Sequence, residues 1–463
     1  MKQLLQRVYP YLPVSVQNAG ISAYGFVYKR ERFGPAFEPT LREFRERDRW
    51  DVERMRTYAN HVLREVLRRA CDAPFYREHW GHAGIEPRHL DDITVDSLQR
   101  LPILPKEAVR RDPMGLVPDR GAPVTGLLSY FSSGSTGTPI RAISTRRGQQ
   151  RFAAAREARS YGWAGTSIRR PRAMIGGQPI IPTATAEPPY HRYNFAERQV
   201  YFSAYHISPA TLPSYVAAFN RHQPALVTGY AFSQFLIARM MLEQGLRFTF
   251  APEAAITSSE ALTPAMRDTI LRAWDCRAYQ EYGSVENCGL ATECEAGGLH
   301  VSPDFGIVEI VDGEGQPVGP NVEGRVLCTG LLNDAQFFVR YEIGDTAMWN
   351  DRRCPCGRDH LPLLAGLTGR LEDVVVGPDG RELVRFHGIF INVPYVLQGQ
   401  VVQEAADQFL VRVLAEDGFG APQITDIRRR MAARLGTVRV TVERVTELER
   451  NARGKVRAVI SRL

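Results

Sequence analysis

Tyr130 to Pro139 reads YFSSGSTGTP and follows directly on the β-like run GLLS. Glycines let a backbone approach an anion closely, successive amides can point inward, and Ser and Thr hydroxyls add donors, so the stretch reads as a phosphate-cradling loop. No Gly-Lys-Ser/Thr follows it, which excludes a Walker loop. A flexible linker has a similar composition, so the decision rests on what surrounds it.

Before the loop, the first hundred residues look helical and polar. TLREFRERDRWDVERMRTYANHVLREVLRRA is a long amphipathic stretch, and from Thr40 to Arg69 its Arg and Glu recur at helical neighbour spacing, as on a solvated, salt-bridged face. From Gly126 the texture changes. Short β-rich runs at Arg172 to Ile175, Ala225 to Val227 and Ala254 to Ile256 alternate with helical patterns at Leu212 to Arg221 and Ser233 to Gln244, which predicts an α/β sheet. Between His300 and Trp349 the pattern is mostly β, with IVEIVDGEGQPVG reading as strand, turn and return. GPDGRELV (Gly377 to Val384) reads as another hairpin, and the strand FLVRVLA, helix ITDIRRRMAARLG and strand VRVTVERV suit a small α+β domain. The expected organisation is a large domain over 1–370, with a β-rich subdomain at about 300–370, and a small domain over 371–463. The break falls near Arg370 to Asp373.

At 463 residues, 44% hydrophobic and 24% charged, the chain has ordinary globular composition and a length that calls for more than one domain. No apolar run approaches the roughly 20 residues needed to cross a bilayer and the first residues lack a signal-peptide pattern, so the expectation is a cytoplasmic protein with no membrane insertion. The net charge of +7 could favour nucleic acid, a membrane surface or polyanionic small molecules such as ATP and coenzyme A, but it decides little because the basic residues are mostly Arg interleaved with Glu and Asp. Seven cysteines, an odd number, read as thiols and metal ligands rather than a disulfide framework.

Two further stretches suit the same chemistry as the loop. QEYGSVENCG (Gln280 to Gly289) places the aromatic Tyr282 beside the turn glycine Gly283, followed by Glu286, whose carboxylate could hold a magnesium ion bridging phosphate oxygens. RYEIGDTA places Asp345 in an expected turn, where a carboxylate can accept both hydroxyls of a ribose; an ordinary turn aspartate is the alternative. Independently, CEAGGLH and CPCGR supply Cys294, His300, Cys354 and Cys356, a Cys₃His set suited to a structural zinc, with Cys288 as a possible substitute.

The order and spacing of these pieces resemble the adenylate-forming superfamily, and within it the phenylacetate-coenzyme A ligase family with its relatives from capsular-polysaccharide and natural-product gene clusters. The motifs are SSGSTGTP, YGSVE, YEIGD, GRLED and RGKVR, from about Leu101 to the C-terminus. The resemblance implies a large α/β adenylate-forming domain and a mobile α+β lid that activate a carboxylic acid with ATP and Mg²⁺. Ser132, Ser133, Gly134, Ser135, Thr136, Gly137 and Thr138 would wrap the phosphates, and Tyr282 would pack on adenine. Ser258, Ser259 and Glu260 would present backbone to it, Asp345 and Arg370 would hold the ribose, and Glu286 would help bind magnesium. Glu372 occupies the hinge position, and Lys455 matches the lysine that the lid delivers to the α-phosphate. The family's Cys-x5-His and later Cys-x-Cys also support zinc at the Cys₃His set. Two departures bear on the acceptor: Ile140 stands where the family has a lysine or threonine after the loop proline, and VRFHGIFINVPYVLQGQ replaces the usual segment after the hinge. Coenzyme A is the first choice of acceptor and an amine the alternative. A zinc-stabilised nucleic-acid-binding protein fits poorly, because its cysteine and histidine pairs would be split by a long β-rich segment and no aromatic-basic reading surface appears.

Overall fold

The computed structural model describes residues 8–120, 126–131, 140–176, 180–181, 187–204, 206–370, 374–378, 382–384, 389–390, 393–450, 457 and 459–463. Four helices open the chain: α1 (Val14–Arg32), α2 (Phe37–Arg47), α3 (Val52–Ala70) and α4 (Pro74–His82). The amphipathic stretch from Thr40 is therefore two helices. The chain turns at residues 48–51, and the Asp51 carboxylate caps α3 by accepting the Arg54 amide at 2.7 Å. Met55, Ala59, Leu63, Val66, Leu67 and Ala70 form its buried stripe.

A short helix α5 (Lys106–Arg111) precedes the antiparallel pair β1 (Leu128–Phe131) and β2 (Arg141–Ser144), which flanks 132–139. Helix α6 (Arg146–Arg156) is capped by Thr145 and runs into a π-helical turn over Glu157–Tyr161. Then come β3 (Arg172–Gly176), β4 (His191–Asn194), β5 (Gln199–Ser203), α7 (Leu212–His222), β6 (Leu226–Tyr230), α8 (Ala231–Glu243), β7 (Ala254–Ser258), α9 (Pro264–Trp274) and β8 (Ala278–Gly283). Antiparallel strands follow: β9 (Leu290–Glu293), β10 (Leu299–Val301), β11 (Gly306–Val311), β12 (Glu323–Gly330), β13 (Tyr341–Asn350) and β14 (Leu363–Arg370). All except β1 and β2 form one 12-stranded sheet, ordered β11-β12-β13-β14-β10-β9-β8-β7-β6-β3-β5-β4. Its β3, β5, β6, β7 and β8 are parallel, and β8 pairs antiparallel with β9, so the β-rich stretch continues the α/β sheet.

The return expected within IVEIVDGEGQPVG is only a bridge between Val311 and Pro317; the full partner of β11 is β12. Asp312 closes a compact turn by accepting the amides of Glu314 (3.0 Å) and Gln316 (2.8 Å), and Pro317 has no N–H to extend the ladder.

The C-terminal stretch contains the hairpin β15 (Val374–Val376) and β16 (Glu382–Val384), then β17 (Val396–Ala405), β18 (Gln408–Ala415), α10 (Ala421–Leu435), β19 (Arg439–Arg444) and β20 (Val459–Ser461). Val401, Phe409, Val411, Val413, Ile427 and Met431 give it a core of its own. Leu397, Leu414 and Leu448 instead join the apolar cluster built by α7, α8 and α9.

One buried network ties the N-terminal helices to the sheet. Arg159, in the π turn and fully buried, donates to both Asp304 oxygens (2.6 and 3.1 Å) and to Asp48 (3.0 Å), and the Trp163 indole donates to the other Asp48 oxygen (2.8 Å). Asp304→Ala strands this guanidinium, and we expect a loss of about 3–5 kcal/mol in urea unfolding. A loss below about 1 kcal/mol would mean that Asp48 alone satisfies Arg159.

Candidate functional site

In open α/β sheets, ligands bind beyond the carboxyl ends of parallel strands, where loops converge and backbone groups are unpaired. Here the neighbouring strands β6, β7 and β8 end at Tyr230, Ser258 and Gly283. Ser258 closes β7, Ser259 is exposed at φ +68°, and the Glu260 carboxylate accepts the amide of Phe232 in the first turn of α8 at 2.9 Å. Arg450 lies over the Phe232 ring (4.9 Å) and faces Glu260, so the chain just before 451–456 is drawn to this edge.

Tyr282 is the penultimate residue of β8, paired with Ala291 of β9, and Glu286 lies in the turn between the two strands. The Tyr282 hydroxyl donates to Asp345 Oδ2 at 3.0 Å. Burial, and then the Asp345 carboxylate, push that phenol well above its ordinary range, so it stays a donor. The Tyr341 hydroxyl likewise donates to Oε1 of the buried Glu286 at 3.0 Å, and its pKa is raised by burial first and Glu286 second. Asp345 lies within strand β13 rather than in a turn. A register shift between Asp345 and Thr346, next to Gly344 at φ +84°, re-aims the strand there. Arg370 is its backbone partner across the ladder.

The groups behind these residues carry no motif that sequence reading could pick out. Arg156 donates to Glu281 (3.2 Å) and to Asn287 (2.9 Å), gripping both ends of the stretch from Tyr282 to Glu286. Arg340, at φ +48°, donates to Glu309 (3.1 Å) and to the carbonyls of Leu101 and Gly315 (both 2.7 Å), fixing the start of β13. Lys106 donates to the Ile343 carbonyl at 3.0 Å. The positions 132–138, Glu372 and Lys455 lie outside the described residues, as does the Arg370 side chain. The base of the Lys455 segment is described: buried Gln400 donates to the carbonyls of Glu449 (3.0 Å) and Arg457 (2.7 Å).

The Cys₃His residues converge. The ligand atoms of Cys294, His300, Cys354 and Cys356 lie within 4.8 Å of one another, while Cys288 is not in the group. Cys294 Sγ and Cys354 Sγ are 3.5 Å apart, and Cys356 Sγ is 3.2 Å from His300 Nε2. Nδ1 of His300 meets the Leu361 carbonyl at 2.9 Å; a proton there turns the Nε2 lone pair toward the thiols. Met55, Trp163 and Leu361 wall the cluster.

No family model matches the sequence. The chain is 24% identical to Protein CapK of Staphylococcus aureus, over 99% of its own length and 100% of that protein. It is also 24% identical to phenylacetate-coenzyme A ligase of Thermus thermophilus, over 70% of its length and 72% of the relative. Among solved structures, 2-hydroxyisobutyryl-CoA ligase in the postadenylation state superposes with a TM-score of 0.66 at 22% identity, covering 90% of this chain and 91% of that one. The same ligase with 2-HIB-AMP and CoA in its thioesterification state gives 0.56 over the same shares. The chain therefore has the fold of the adenylate-forming ligases. Its homologues include Protein CapK and a phenylacetate-coenzyme A ligase.

Tyr341→Phe removes the donor to a buried carboxylate. We expect a loss of about 1.5–3 kcal/mol, read from the urea midpoint at neutral pH. An unchanged midpoint would show that Glu286 is satisfied without Tyr341.

Proposed function

We propose that the chain is an ATP-dependent, AMP-forming carboxylate ligase that transfers its acyl group to coenzyme A. The observation that carries this reading is the meeting of Tyr282, Asp345, Glu286 and residues 258–260 at one end of the parallel strands, on the fold of acyl-adenylate-forming enzymes. Tyr282 stacks on adenine while its hydroxyl orients Asp345 toward the ribose. Ser258, Ser259 and Glu260 line the base by their backbone, Gly283 leaves room beside it, and Arg370 reaches the ribose. Ser132 to Thr138 cradle the phosphates.

In the first half-reaction a carboxylate oxygen attacks the α-phosphorus of ATP and pyrophosphate leaves. Lys455 meets the charge that builds on the phosphoryl and acyl oxygens, a contact worth more in the transition state than before it. In the second, the thiol of coenzyme A attacks the acyl carbon, the C–O bond breaks, and AMP departs with the oxygen it gained. Residues 371–463 form the lid that turns about Glu372 between the two steps and shelters the anhydride from water. An amine as acceptor is the second reading, favoured by VRFHGIFINVPYVLQGQ in place of the usual post-hinge segment.

Two metals belong to this reading. Glu286, whose Oε1 accepts from Tyr341, would help hold magnesium, which would supply charge neutralisation at the phosphates. Cys294, His300, Cys354 and Cys356 would hold a structural zinc: three sulfurs and a correctly turned imidazole are a closed tetrahedral donor set. Purified protein should carry about one zinc per chain, and Cys354→Ser should lose the metal and melt lower before its chemistry changes. A metal-free preparation of full stability would contradict the zinc assignment.

The mechanism is tested by separating its halves. Lys455→Ala should lose acid-dependent pyrophosphate release by about a hundredfold or more, yet still convert a supplied acyl adenylate. Offering that variant coenzyme A or amines identifies the acceptor. Wild-type adenylation, or equal failure in both steps, would overturn the lid's alternation.

A further inference from the structure

Helix α1 meets the rest of the protein largely through polar contacts. Gln17 donates to the carbonyls of Tyr9 (3.0 Å) and Leu12 (2.9 Å), Asn18 accepts the Tyr193 amide (2.9 Å), and Ser22 accepts the Phe195 amide (3.0 Å). Gly25 lies so close to Asn194 that a Cβ would come within 2.2 Å of its side chain, and buried Arg32 pairs with Glu197. The helix is thus held to the edge strand β4 by hydrogen bonds and close approach.

Four of its apolar residues face outward, while Val14, Ile21 and Tyr28 lie half-buried on the inward side. Val16 is 47% exposed, Tyr24 67%, Phe26 54% and Val27 50%, with Ala19, Gly20 and Ala23 exposed between them. At 3.6 residues per turn the exposed residues span an arc of roughly 160° turned away from the core. Tyr11, 88% exposed, extends the patch. A patch of this kind marks an interaction surface.

The charge pattern selects the occupant. Residues 1–30 contain no Asp or Glu but carry Lys2, Arg7, Lys29 and Arg30. Arg30 sits on the outward arc, its guanidinium 5.0 Å from the Phe26 ring centre, so its stem lies along the apolar face while its charge can rise to a headgroup. Glu31, the first acid, meets the Tyr130 hydroxyl at 3.4 Å. Apposing a second copy would bring an acid-free cationic segment against itself, whereas an anionic bilayer complements both the charge and the tyrosine-bearing apolar arc. We propose that α1 docks the protein on an anionic membrane surface, lying in the interface plane. Docking of this kind needs no span, and no described helix is long and apolar enough to cross a membrane.

The test is sedimentation of the full chain with phosphatidylcholine vesicles, with and without phosphatidylglycerol. We expect binding to the anionic vesicles that weakens with salt. Phe26→Glu with Val27→Glu should cut partitioning at least tenfold, and Arg30→Glu should weaken it, both with an unchanged melting temperature because these side chains touch no core. No binding, or equal binding by the double variant, would overturn the proposal. So would a wild-type dimer that the double variant makes monomeric without any vesicle association.

Discussion

A guanidinium sealed from water must be given carboxylates, and Arg159 is such a group. Its partners come from distant places. Asp48 lies at the break between α2 and α3, Asp304 precedes β11, and Arg159 itself stands in the π turn after α6. Satisfying one side chain thus fixes where the N-terminal helices meet the antiparallel half of the sheet. Through the Trp163 indole on Asp48, it also sets a wall of the Cys₃His cluster, because the Trp163 ring stands edge-on to His300 with 5.9 Å between ring centres.

The same π turn reaches the other half of the molecule. Ser160 and Arg156 both bind Glu281, and Arg156 also binds Asn287, so the end of β8 with Tyr282 and the turn with Glu286 are clamped from behind by the segment that holds Arg159. In front of it, two tyrosine hydroxyls each meet one carboxylate. These pairs have a simple logic: burial keeps each phenol protonated, and its hydroxyl then donates to the carboxyl group beside it.

Much of this was legible in the sequence where the signal was local. The periodicities at Arg172 to Ile175, Leu212 to Arg221 and Ala254 to Ile256 correspond to β3, α7 and β7, and GPDGRELV to β15 and β16, because turn residues and alternating or helical apolar spacing act over a few residues. The Cys₃His group was also visible, since thiols and imidazole at paired spacings have few structural uses. Arg156, Arg159 and Arg340 were not, because each sits in an unremarkable string and its meaning comes from partners far away in the chain. Asp345 was expected in a turn because Gly-Asp usually marks one; Gly344 instead serves a strand irregularity. Helix α1 reads from sequence only as helical and polar, since apolar residues recur on more than one of its sides and periodicity does not say which side meets the protein.

In an acyl-adenylate mechanism a carboxylate oxygen ends up on the α-phosphorus, and an isotope reports it. An accepted acid labelled with ¹⁸O in its carboxylate, turned over with ATP and acceptor, should place one labelled oxygen in AMP and none in pyrophosphate, because the acyl C–O bond is the one broken in the second step. Label in inorganic phosphate with ADP as product, or unlabelled AMP, would contradict the adenylate and with it the roles given to Tyr282, Asp345 and Lys455.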